Sequence, residues 1–328
     1  MKPLLLTMGD AAGIGPEVIA QAWAQEPARD AVVVGDPGVM RRAVRACRLE
    51  LPVAVLDTPD EAVPPGALAV WRPPSLPALD AVRWGCLDAR AGAAAALCIE
   101  AAVAAIQAGQ GRGMVTAPIH KEALHAAGVA FPGHTEMLQA LAAAPAVRMM
   151  LVNRELRVVL VTVHQSLRTA CDAVTREAVL TTLRLLHPAL QTWFGVGQPR
   201  IAVAGLNPHA GEGGLFGDEE QREIAPAIAE AQAWGWQVSG PHAPDTVFMR
   251  AREGHHDAVV AMTHDQGLIP IKYMGLDEGV NLTLGLPWVR TSPDHGTAFD
   301  LAGTGRADPR SFRAAWSLAR QMTGAIRP

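Results

Sequence analysis

The chain has 328 residues, of which 49% are hydrophobic and 18% are charged, so it can bury a sizeable core and is not an intrinsically disordered protein. Its formal net charge of −4 argues against a broad nucleic-acid-binding surface. Only three of the 28 lysine and arginine residues are lysines, namely Lys2, Lys121 and Lys272. The length predicts about two domains of ordinary size, or one large α/β unit.

Short β-branched runs alternate with helical patterns along the chain, which predicts α/β layers with a mainly parallel sheet. Several runs are continuously apolar, as in strands that are covered on both faces. The predicted strands span residues 3–8, 31–35, 53–56, 68–71, 113–117, 149–152, 156–163, 200–205, 257–262 and 280–285. The predicted helices span residues 16–25, 37–47, 86–108, 120–127, 135–143, 173–192, 218–234 and 310–324. Because no linker interrupts the pattern, we expect two domains to be interleaved.

The sequence predicts a soluble, cytoplasmic protein without a membrane partner. Its four cysteines form no CxxC pair, and a chain of this length needs no disulfides, so free thiols in a reducing compartment are expected. The segment MKPLLLTMGD predicts a first strand and not a signal peptide. The most apolar helical stretch, near 89–108, contains Arg90 and Glu100 and falls short of a strongly apolar membrane span.

The first glycine-rich segment, GDAAGIGPE at 9–17, connects a predicted strand to a helix that begins at Pro16. Gly13 and Gly15 fit a dinucleotide fingerprint, but Val18 stands where the third glycine belongs, and the lysine of a P-loop is missing. Two interpretations remain from spacing alone: an anion site at the helix N-terminus, or a tight turn only.

Three histidines follow the carboxyl ends of three predicted strands. His164 follows LRVVLVTV, His209 follows RIAVAGLNP, and His264 follows DAVVAMT. Ligands of open α/β sheets bind at this edge, and three imidazoles with an open position suit a catalytic divalent metal such as zinc. The trio therefore predicts a metal site, with Asp265 as a ligand or as a partner of His264. The alternative is that each histidine independently caps a loop.

Two further segments carry polar residues suited to small-molecule binding. Lys272, Asn281 and Arg290, in a predicted strand-and-turn region, offer an ammonium, an amide and a guanidinium to a phosphate, although isolated cations are more often solvated surface charges. The segment RTSPDHGTAFDLAGTGRADP at 290–309 is a loop before the last helix. Such a loop can wrap a nucleoside, but an ordinary connection is the simpler interpretation.

Eight segments together resemble the 4-hydroxythreonine-4-phosphate dehydrogenase family. They are GDAAGIGPE, TAPIHKEAL, FPGHTE, VTVHQSLR, LNPHAGEGGLFGDEE, APDTVF, HDQGLIPIKY and GVNLTLGLPWVRTSPDHGTAFDLAG. The resemblance implies an isocitrate/isopropylmalate dehydrogenase-like α/β fold with two interleaved α/β/α domains and a central cleft. One domain is expected to comprise residues 1–130 plus 270–328, with a dinucleotide loop at 294–303, and the other 131–269.

The resemblance also implies roles for individual residues. The metal ligands are His164, His209 and His264, on a metal that the two subunits of a homodimer share at the active-site interface. The substrate contacts are His134, Thr135, Lys272, Asn281 and Arg290. The candidates for proton transfer are Asp245, Asp265 and Lys272. The dinucleotide contacts are Asp294, His295, Gly296, Thr297, Ala298 and Asp300.

The activity that the resemblance implies is the oxidation of 4-(phosphooxy)-L-threonine with NAD or NADP and a divalent metal (Zn, Co, Mn or Mg). The 3-keto acid formed would decarboxylate to 3-amino-2-oxopropyl phosphate, in pyridoxal 5′-phosphate biosynthesis. Relatives that oxidise a terephthalate cis-dihydrodiol handle no phosphate, whereas this chain keeps the Lys272, Asn281 and Arg290 set.

Three alternatives stay open. The first is a dehydrogenase of D-threonate or D-erythronate 4-phosphate in sugar-acid catabolism. The second is a metal-dependent phosphatase or aldolase, which the dinucleotide loop argues against. The third is a non-catalytic module that binds a phosphorylated metabolite.

Overall fold

The computed structural model describes residues 2–275 and 279–324. Its strands are Leu4–Thr7 (β1), Ala31–Val34 (β2), Val53–Leu56 (β3), Leu68–Trp71 (β4), Gly113–Thr116 (β5), Arg148–Val152 (β6), Arg157–Leu160 (β7), Arg200–Ala204 (β8), Gln237–His242 (β9), Ala258–Ala261 (β10), Val280–Leu284 (β11) and Val289–Pro293 (β12). Its α-helices are Gly15–Gln25 (α1), Pro37–Ala46 (α2), Ala89–Gln107 (α3), Lys121–Ala126 (α4), His134–Leu141 (α5), Leu167–Ala173 (α6), Arg176–Thr192 (α7), Ala225–Ala233 (α8), Val247–Arg252 (α9), His264–Tyr273 (α10) and Arg310–Met322 (α11).

The chain forms two compact units. Unit 1 comprises Met1–Pro145 and Leu286–Pro328, and unit 2 comprises Ala146–Gly285. These bounds lie further along the chain than the domain limits expected near 130 and 270. Unit 1 thus consists of two segments that flank unit 2 in the sequence. The assignment of these units as functional domains stays a prediction.

The strands of unit 1 lie in the order β3-β4-β2-β1-β5-β12, and all pairs within this order are parallel. Leu4, Leu5 and Leu6 of β1 are fully buried, as expected for a strand covered on both faces. On one side Trp23 of α1 packs on Trp316 of α11, with ring centroids 5.5 Å apart. The carboxyl ends of β1, β5 and β12 therefore point to one edge of this unit.

The strands of unit 2 lie in the order β11-β6-β7-β10-β8-β9. Strands β7, β10, β8 and β9 are parallel to one another, whereas β6 runs antiparallel to both of its neighbours. Val158, Leu160, Val259 and Ala261 form part of a core that is closed on one face by Leu268 of α10. The predicted α/β class with mainly parallel pairing is confirmed.

The sequence patterns do not predict α6, β9 and α9, and two segments that carry predicted site residues differ from their predicted structure. Residues 264–273 form helix α10 and not the strand-and-turn region expected around Lys272, even though Gly267 and Pro270 are poor helix formers. Residues 289–293 form strand β12, every residue of which is buried although three of the five are polar. Packing of each segment within its own unit determines its structure and outweighs its local propensity.

Contrary to the expectation from the sequence, helix α3 is long and apolar enough to cross a membrane, and it is the one described helix that is. More than half of its apolar window, 56%, is buried inside the structure, as in the core helix of a globular protein. Gly92 of α3 faces the backbone of α4 so closely that a Cβ there would lie 2.1 Å from the Ala123 carbonyl oxygen. The helix therefore serves as a packing element of unit 1.

Candidate active site

Four predicted functional residues lie beyond the carboxyl ends of the parallel strands of unit 2. His164 follows β7, His264 follows β10, His209 follows β8 and Asp245 follows β9. These four strands are adjacent in the order β7-β10-β8-β9 and run in one direction. Their carboxyl ends meet at one edge, where ligands of α/β sheets bind. We call this the histidine edge.

His164 and His264 lie together at the histidine edge, with ring centroids 5.6 Å apart. Two imidazoles on one tetrahedral zinc, with Zn–N bonds of about 2.0–2.1 Å, have their centroids about 5 Å apart. His264 Nδ1 lies 2.8 Å from Asp265 Oδ1, which leaves Nε2 as the nitrogen available to a metal. The donor set and its spacing therefore fit a divalent metal held by these two side chains.

His209 lies in a loop of unusual backbone conformation. His209, Ala210 and Glu212 have φ angles of 52°, 53° and 44°, the left-handed region that non-glycine residues rarely adopt. Within residues 2–275 and 279–324, no three or more His, Cys, Asp or Glu side chains of the single chain are grouped to hold a metal ion. In the single chain, His164 and His264 therefore lie together, whereas His209, the third predicted ligand, is exposed on a neighbouring loop.

Lys272 and Asn281 lie away from the histidine edge. Helix α10 begins at His264 and packs along the sheet, where a Cβ at Gly267 would lie 2.4 Å from Leu160 Cδ2. Lys272 is eight residues beyond His264, or about 12 Å along the helix axis. Asn281 of β11 pairs with Leu151, which pairs with Val158 near the start of β7. Unit 2 therefore does not bring Lys272 and Asn281 to its own histidines.

Arg290 of β12 is 3% exposed and is held by Thr116, the last residue of β5. Its Nε and Nη2 donate to Thr116 Oγ1 at 3.2 and 2.7 Å. Burial lowers the pKa of the guanidinium to about 10, so Arg290 remains a cation at neutral pH. A buried, charged guanidinium whose orientation is fixed by a hydroxyl is suited to recognising a phosphate.

His134 and Thr135 are the first two residues of helix α5 in unit 1. The N–H groups of a helix N-terminus favour an anion. Burial, and then the charge of Arg290, hold the pKa of His134 well below its ordinary value, so the imidazole is neutral at pH 7. Its Nε2 is buried and has no hydrogen-bond partner among the described residues. His134 is thus a neutral imidazole within reach of the Arg290 charge, and its contact with a phosphorylated substrate stays a prediction.

The predicted dinucleotide loop leaves β12 at the carboxyl edge of unit 1 and packs on the first glycine-rich segment. Ile14 N–H donates to the Thr297 carbonyl at 3.0 Å, and a Cβ at Gly13 would lie 2.9 Å from Thr297 Cβ. The GDAAGIGPE turn therefore contacts the loop, which accounts for the small residue at Gly13.

The other members of the loop are placed as follows. Asp294 N–H donates to Ser311 Oγ at 3.2 Å, and Asp300 is exposed. Ala298 adopts a left-handed φ of 40°. A Cβ at Gly296 would meet open space, and the buried Nε2 of His295 has no partner among the described residues. The contact of these residues with a dinucleotide stays a prediction.

Three residues that the sequence did not single out support these sites. The carboxylate of Glu17, fully buried, accepts from Gly303 N–H at 2.7 Å and from Gly305 N–H at 2.6 Å. The carboxylate of Glu220 and the amide of Gln266 hold the segments around the histidine edge. Nothing in the sequence distinguishes these side chains from solvated ones, because only the fold brings them to their hydrogen-bond partners on other segments.

Comparison with known proteins gives one consistent result. The family model described as pyridoxal phosphate biosynthetic protein PdxA matches residues 27–319. A 4-hydroxythreonine-4-phosphate dehydrogenase of Beijerinckia indica is 52% identical over 322 residues, which cover 98% of this chain and 95% of that protein. A D-threonate 4-phosphate dehydrogenase of Pectobacterium atrosepticum is 44% identical, with 98% and 99% coverage.

Among solved structures, a 4-hydroxythreonine-4-phosphate dehydrogenase from Klebsiella pneumoniae superposes with a TM-score of 0.91 at 44% identity. The match covers 98% of each chain. The fold and the sequence thus point to the same group of proteins. The chain belongs to the family of the pyridoxal phosphate biosynthetic protein PdxA.

Proposed function

We propose that this chain is an NAD(P)- and divalent-metal-dependent 4-hydroxythreonine-4-phosphate dehydrogenase. It would oxidise 4-(phosphooxy)-L-threonine at C3, and the 3-keto acid would lose CO2 to give 3-amino-2-oxopropyl phosphate. The observation that carries the proposal is the placement of His164 and His264 at one sheet edge, 5.6 Å apart, in a chain 52% identical to a protein of that name. We place the enzyme in the cytoplasm, where pyridoxal phosphate would be made.

The metal would be held by His164, His209 and His264 and, when bound, would act as a Lewis acid toward the substrate hydroxyl. The hydrogen bond that His264 Nδ1–H donates to Asp265 Oδ1 would fix the orientation of the His264 ring and raise its basicity as a ligand. Zinc, cobalt, manganese and magnesium are the candidate metals. Three imidazoles suit zinc better than manganese or magnesium, which prefer oxygen ligands.

The phosphate would be bound by Arg290, by the α5 N-terminus with His134 and Thr135, and by Lys272 and Asn281. Binding of the phosphate by these residues would orient the reacting carbon, and such orientation can lower an activation barrier by several kcal/mol. Asp245, Asp265 and Lys272 are the candidates to move a proton to or from the substrate. Asp245 and Asp265 are both exposed at the histidine edge, where they can reach solvent during turnover.

NAD or NADP would be bound by the loop residues Asp294, His295, Gly296, Thr297, Ala298 and Asp300. Support comes from the unpaired His295 Nε2, from the open space at Gly296, and from the anchoring of the loop by Glu17. The loop would orient the nicotinamide so that it accepts hydride from C3 of the substrate.

The active enzyme would be a homodimer whose active site lies at the subunit interface and whose subunits share the metal. Two observations support this. Unit 2 does not bring Lys272 and Asn281 to its own histidines, so a second copy is needed to complete the set. Large apolar side chains are exposed on segments that follow the histidines: Leu167 is 68% exposed, Leu215 72% and Ile269 64%.

The second candidate is a D-threonate or D-erythronate 4-phosphate dehydrogenase. It is supported by the 44% identity to the Pectobacterium protein over nearly the whole chain. Both substrates carry a phosphate, so the Arg290 site suits either. The higher identity to the Beijerinckia protein favours the threonine derivative.

Metal stripping tests the proposal. Treatment with EDTA should abolish formation of reduced nicotinamide from 4-(phosphooxy)-L-threonine, and re-added Zn²⁺ or Co²⁺ should restore it. His209→Ala should stay inactive after the same cycle and should lose divalent-metal affinity. Full activity of that variant after stripping and reloading would refute the metal assignment, and turnover insensitive to EDTA would refute the metal dependence.

A further inference from the structure

The loop that carries His209 adopts a conformation that its own residues disfavour. Residues 209–213 all have positive φ angles, between 44° and 78°, and three of the five are not glycine. Each such non-glycine residue costs about 1 kcal/mol or more relative to the right-handed region. A segment of this kind keeps its shape only when contacts from outside the segment hold it.

Glu220 supplies those contacts to the base of the loop. Its side chain is 3% exposed, and Oε1 accepts from the N–H groups of Leu206 and Asn207, both at 2.7 Å. Oε2 accepts from Asn207 Nδ2 at 3.0 Å and lies so close to Gly211 that a Cβ there would approach it to 2.6 Å. The carboxylate thus binds the backbone before His209 by hydrogen bonds and packs closely against Gly211 after it.

Gln266 connects the same loop to the segment that carries His264. Its Oε1 accepts from Met262 N–H at 2.7 Å, and its Nε2 donates to the Gly205 carbonyl at 2.8 Å. Met262 follows β10 and Gly205 follows β8, so one side chain bridges the exits of two neighbouring strands. The exit of β10 leads to His264, and that of β8 leads to His209.

We propose that Glu220 and Gln266 are positioning residues that set His209 relative to His264 and thereby control the affinity and coordination geometry of the divalent metal. The inference rests on the proposed metal-dependent function. Neither side chain is a ligand: Glu220 is buried under the loop, and both functional atoms of Gln266 are engaged with backbone. Their effect is transmitted through the backbone segments 205–209 and 262–264.

The test uses two isosteric substitutions, Glu220→Gln and Gln266→Glu, on the full-length protein with Co²⁺ as the probe. Glu220→Gln replaces a carboxylate oxygen by an amide NH2, which then faces the N–H groups of Asn207. Gln266→Glu removes the N–H group that donates to the Gly205 carbonyl. We expect the Kd for Co²⁺ to rise about 10- to 100-fold in each variant, the range found for residues that orient metal ligands. The visible d–d absorption of bound Co²⁺ should change, while the Kd for NAD(P)+ should not.

The matched control is Glu223→Gln. Glu223 lies three residues further along the chain and also accepts a backbone N–H, but that of Arg176, at 2.7 Å, which lies outside the His209 loop. Its Co²⁺ affinity and spectrum should equal those of the wild type. Circular dichroism and thermal unfolding of each variant identify any loss of fold, and Gln266→Glu gives an independent reading if Glu220→Gln does not fold.

The outcomes separate the inference from the proposed function. Wild-type Co²⁺ affinity and spectrum in folded Glu220→Gln or Gln266→Glu would overturn the positioning role. The same wild-type result in His209→Ala would instead overturn the metal assignment on which the inference rests. Loss of Co²⁺ binding in His209→Ala, together with an altered spectrum in both isosteric variants but not in Glu223→Gln, supports the inference.

Discussion

Arg290 is the buried cation on which the proposed phosphate site depends most directly. Removing its guanidinium in Arg290→Ala deletes charge-assisted hydrogen bonds worth about 1.5–3 kcal/mol. We expect kcat/KM for the phosphorylated substrate to fall about 10- to 100-fold, mainly through KM. Thr116→Val keeps the cation and removes only the hydroxyl that accepts from it, so its loss should be smaller. Steady-state kinetics with an unchanged KM in Arg290→Ala would remove this residue from the phosphate site.

His134 should make the free energy of unfolding depend on pH, because burial and the charge of Arg290 lower its pKa in the folded state. The unfolded chain, with an ordinary imidazole pKa of about 6.5, binds the proton more readily. The contribution of His134 to stability is therefore complete above about pH 6.5 and is lost as the pH falls toward the folded-state pKa. The wild type should lose more free energy of unfolding between pH 7 and pH 5 than His134→Gln does, by at most about 1.4 kcal/mol per pH unit.

Urea unfolding of both proteins at several pH values measures this difference. His125→Gln is the matched control, because His125 also lies on a short helix of unit 1 but is exposed. Its pH profile should superpose on that of the wild type. A His134→Gln profile that also superposes would contradict the lowered pKa.

At the scale of elements, helix α1 holds the proposed dinucleotide loop through Glu17. The fully buried carboxylate accepts from the N–H of Gly303, the last residue of the loop, and from the N–H of Gly305 just beyond it. Glu17→Gln keeps the shape but replaces one acceptor by a donor that faces an N–H. We expect stability to fall by about 2–4 kcal/mol and the Kd for NAD(P)+ to rise about tenfold.

Calorimetric titration with the dinucleotide and thermal unfolding test this role of Glu17. Glu122→Gln, an exposed acid in the first turn of another helix, should leave both quantities unchanged. Co²⁺ affinity should be unchanged in Glu17→Gln, because the histidines lie in unit 2. A wild-type dinucleotide Kd in the folded variant would show that α1 does not support the loop.

Sequence patterns predict the apolar strands well, because a continuous apolar run such as Leu4–Leu6 suits only a buried position. They fail where packing overrides local preference. Pro270 and Gly267 make α10 resemble a turn, but Gly267 is what lets the helix approach Leu160 and Val158. Strand β12 is polar in sequence, yet Thr291 is buried because its hydroxyl donates to the Ala315 carbonyl of α11.

The positions of His164, His209 and His264 beyond the carboxyl ends of strands are predictable, since each follows a recognisable strand within a few residues. That the three form one metal site stays a prediction. Parallel pairing then places the strand ends at one edge. The supporting acids are not predictable, because Glu17 and Glu220 are buried by segments that are 286 and 13 residues away in the chain. The distance between His264 and Lys272 is not predictable either, because it depends on the helical structure of residues 264–273.

At the scale of the whole molecule, the proposed homodimer should bury the exposed apolar side chains near the histidine edge. Ile269→Asp places a charge on the outer face of α10, where Ile269 is 64% exposed. We expect this variant to sediment as a monomer and to lose turnover while it keeps NAD(P)+ binding. Val55→Asp, at a 52% exposed valine of β3, should remain dimeric and active. A wild-type protein that is monomeric and fully active would contradict the shared site.

The proposed reaction is the oxidation and decarboxylation of 4-(phosphooxy)-L-threonine. The most direct test offers the metal-loaded protein the 4-phosphates of hydroxythreonine, D-threonate and D-erythronate, each with NAD+ and with NADP+. Reduced dinucleotide and CO2 are followed together. The proposal predicts the highest kcat/KM for the hydroxythreonine phosphate, with one CO2 released per dinucleotide reduced. A higher kcat/KM for D-threonate or D-erythronate 4-phosphate, or no turnover of any of the three, would contradict it.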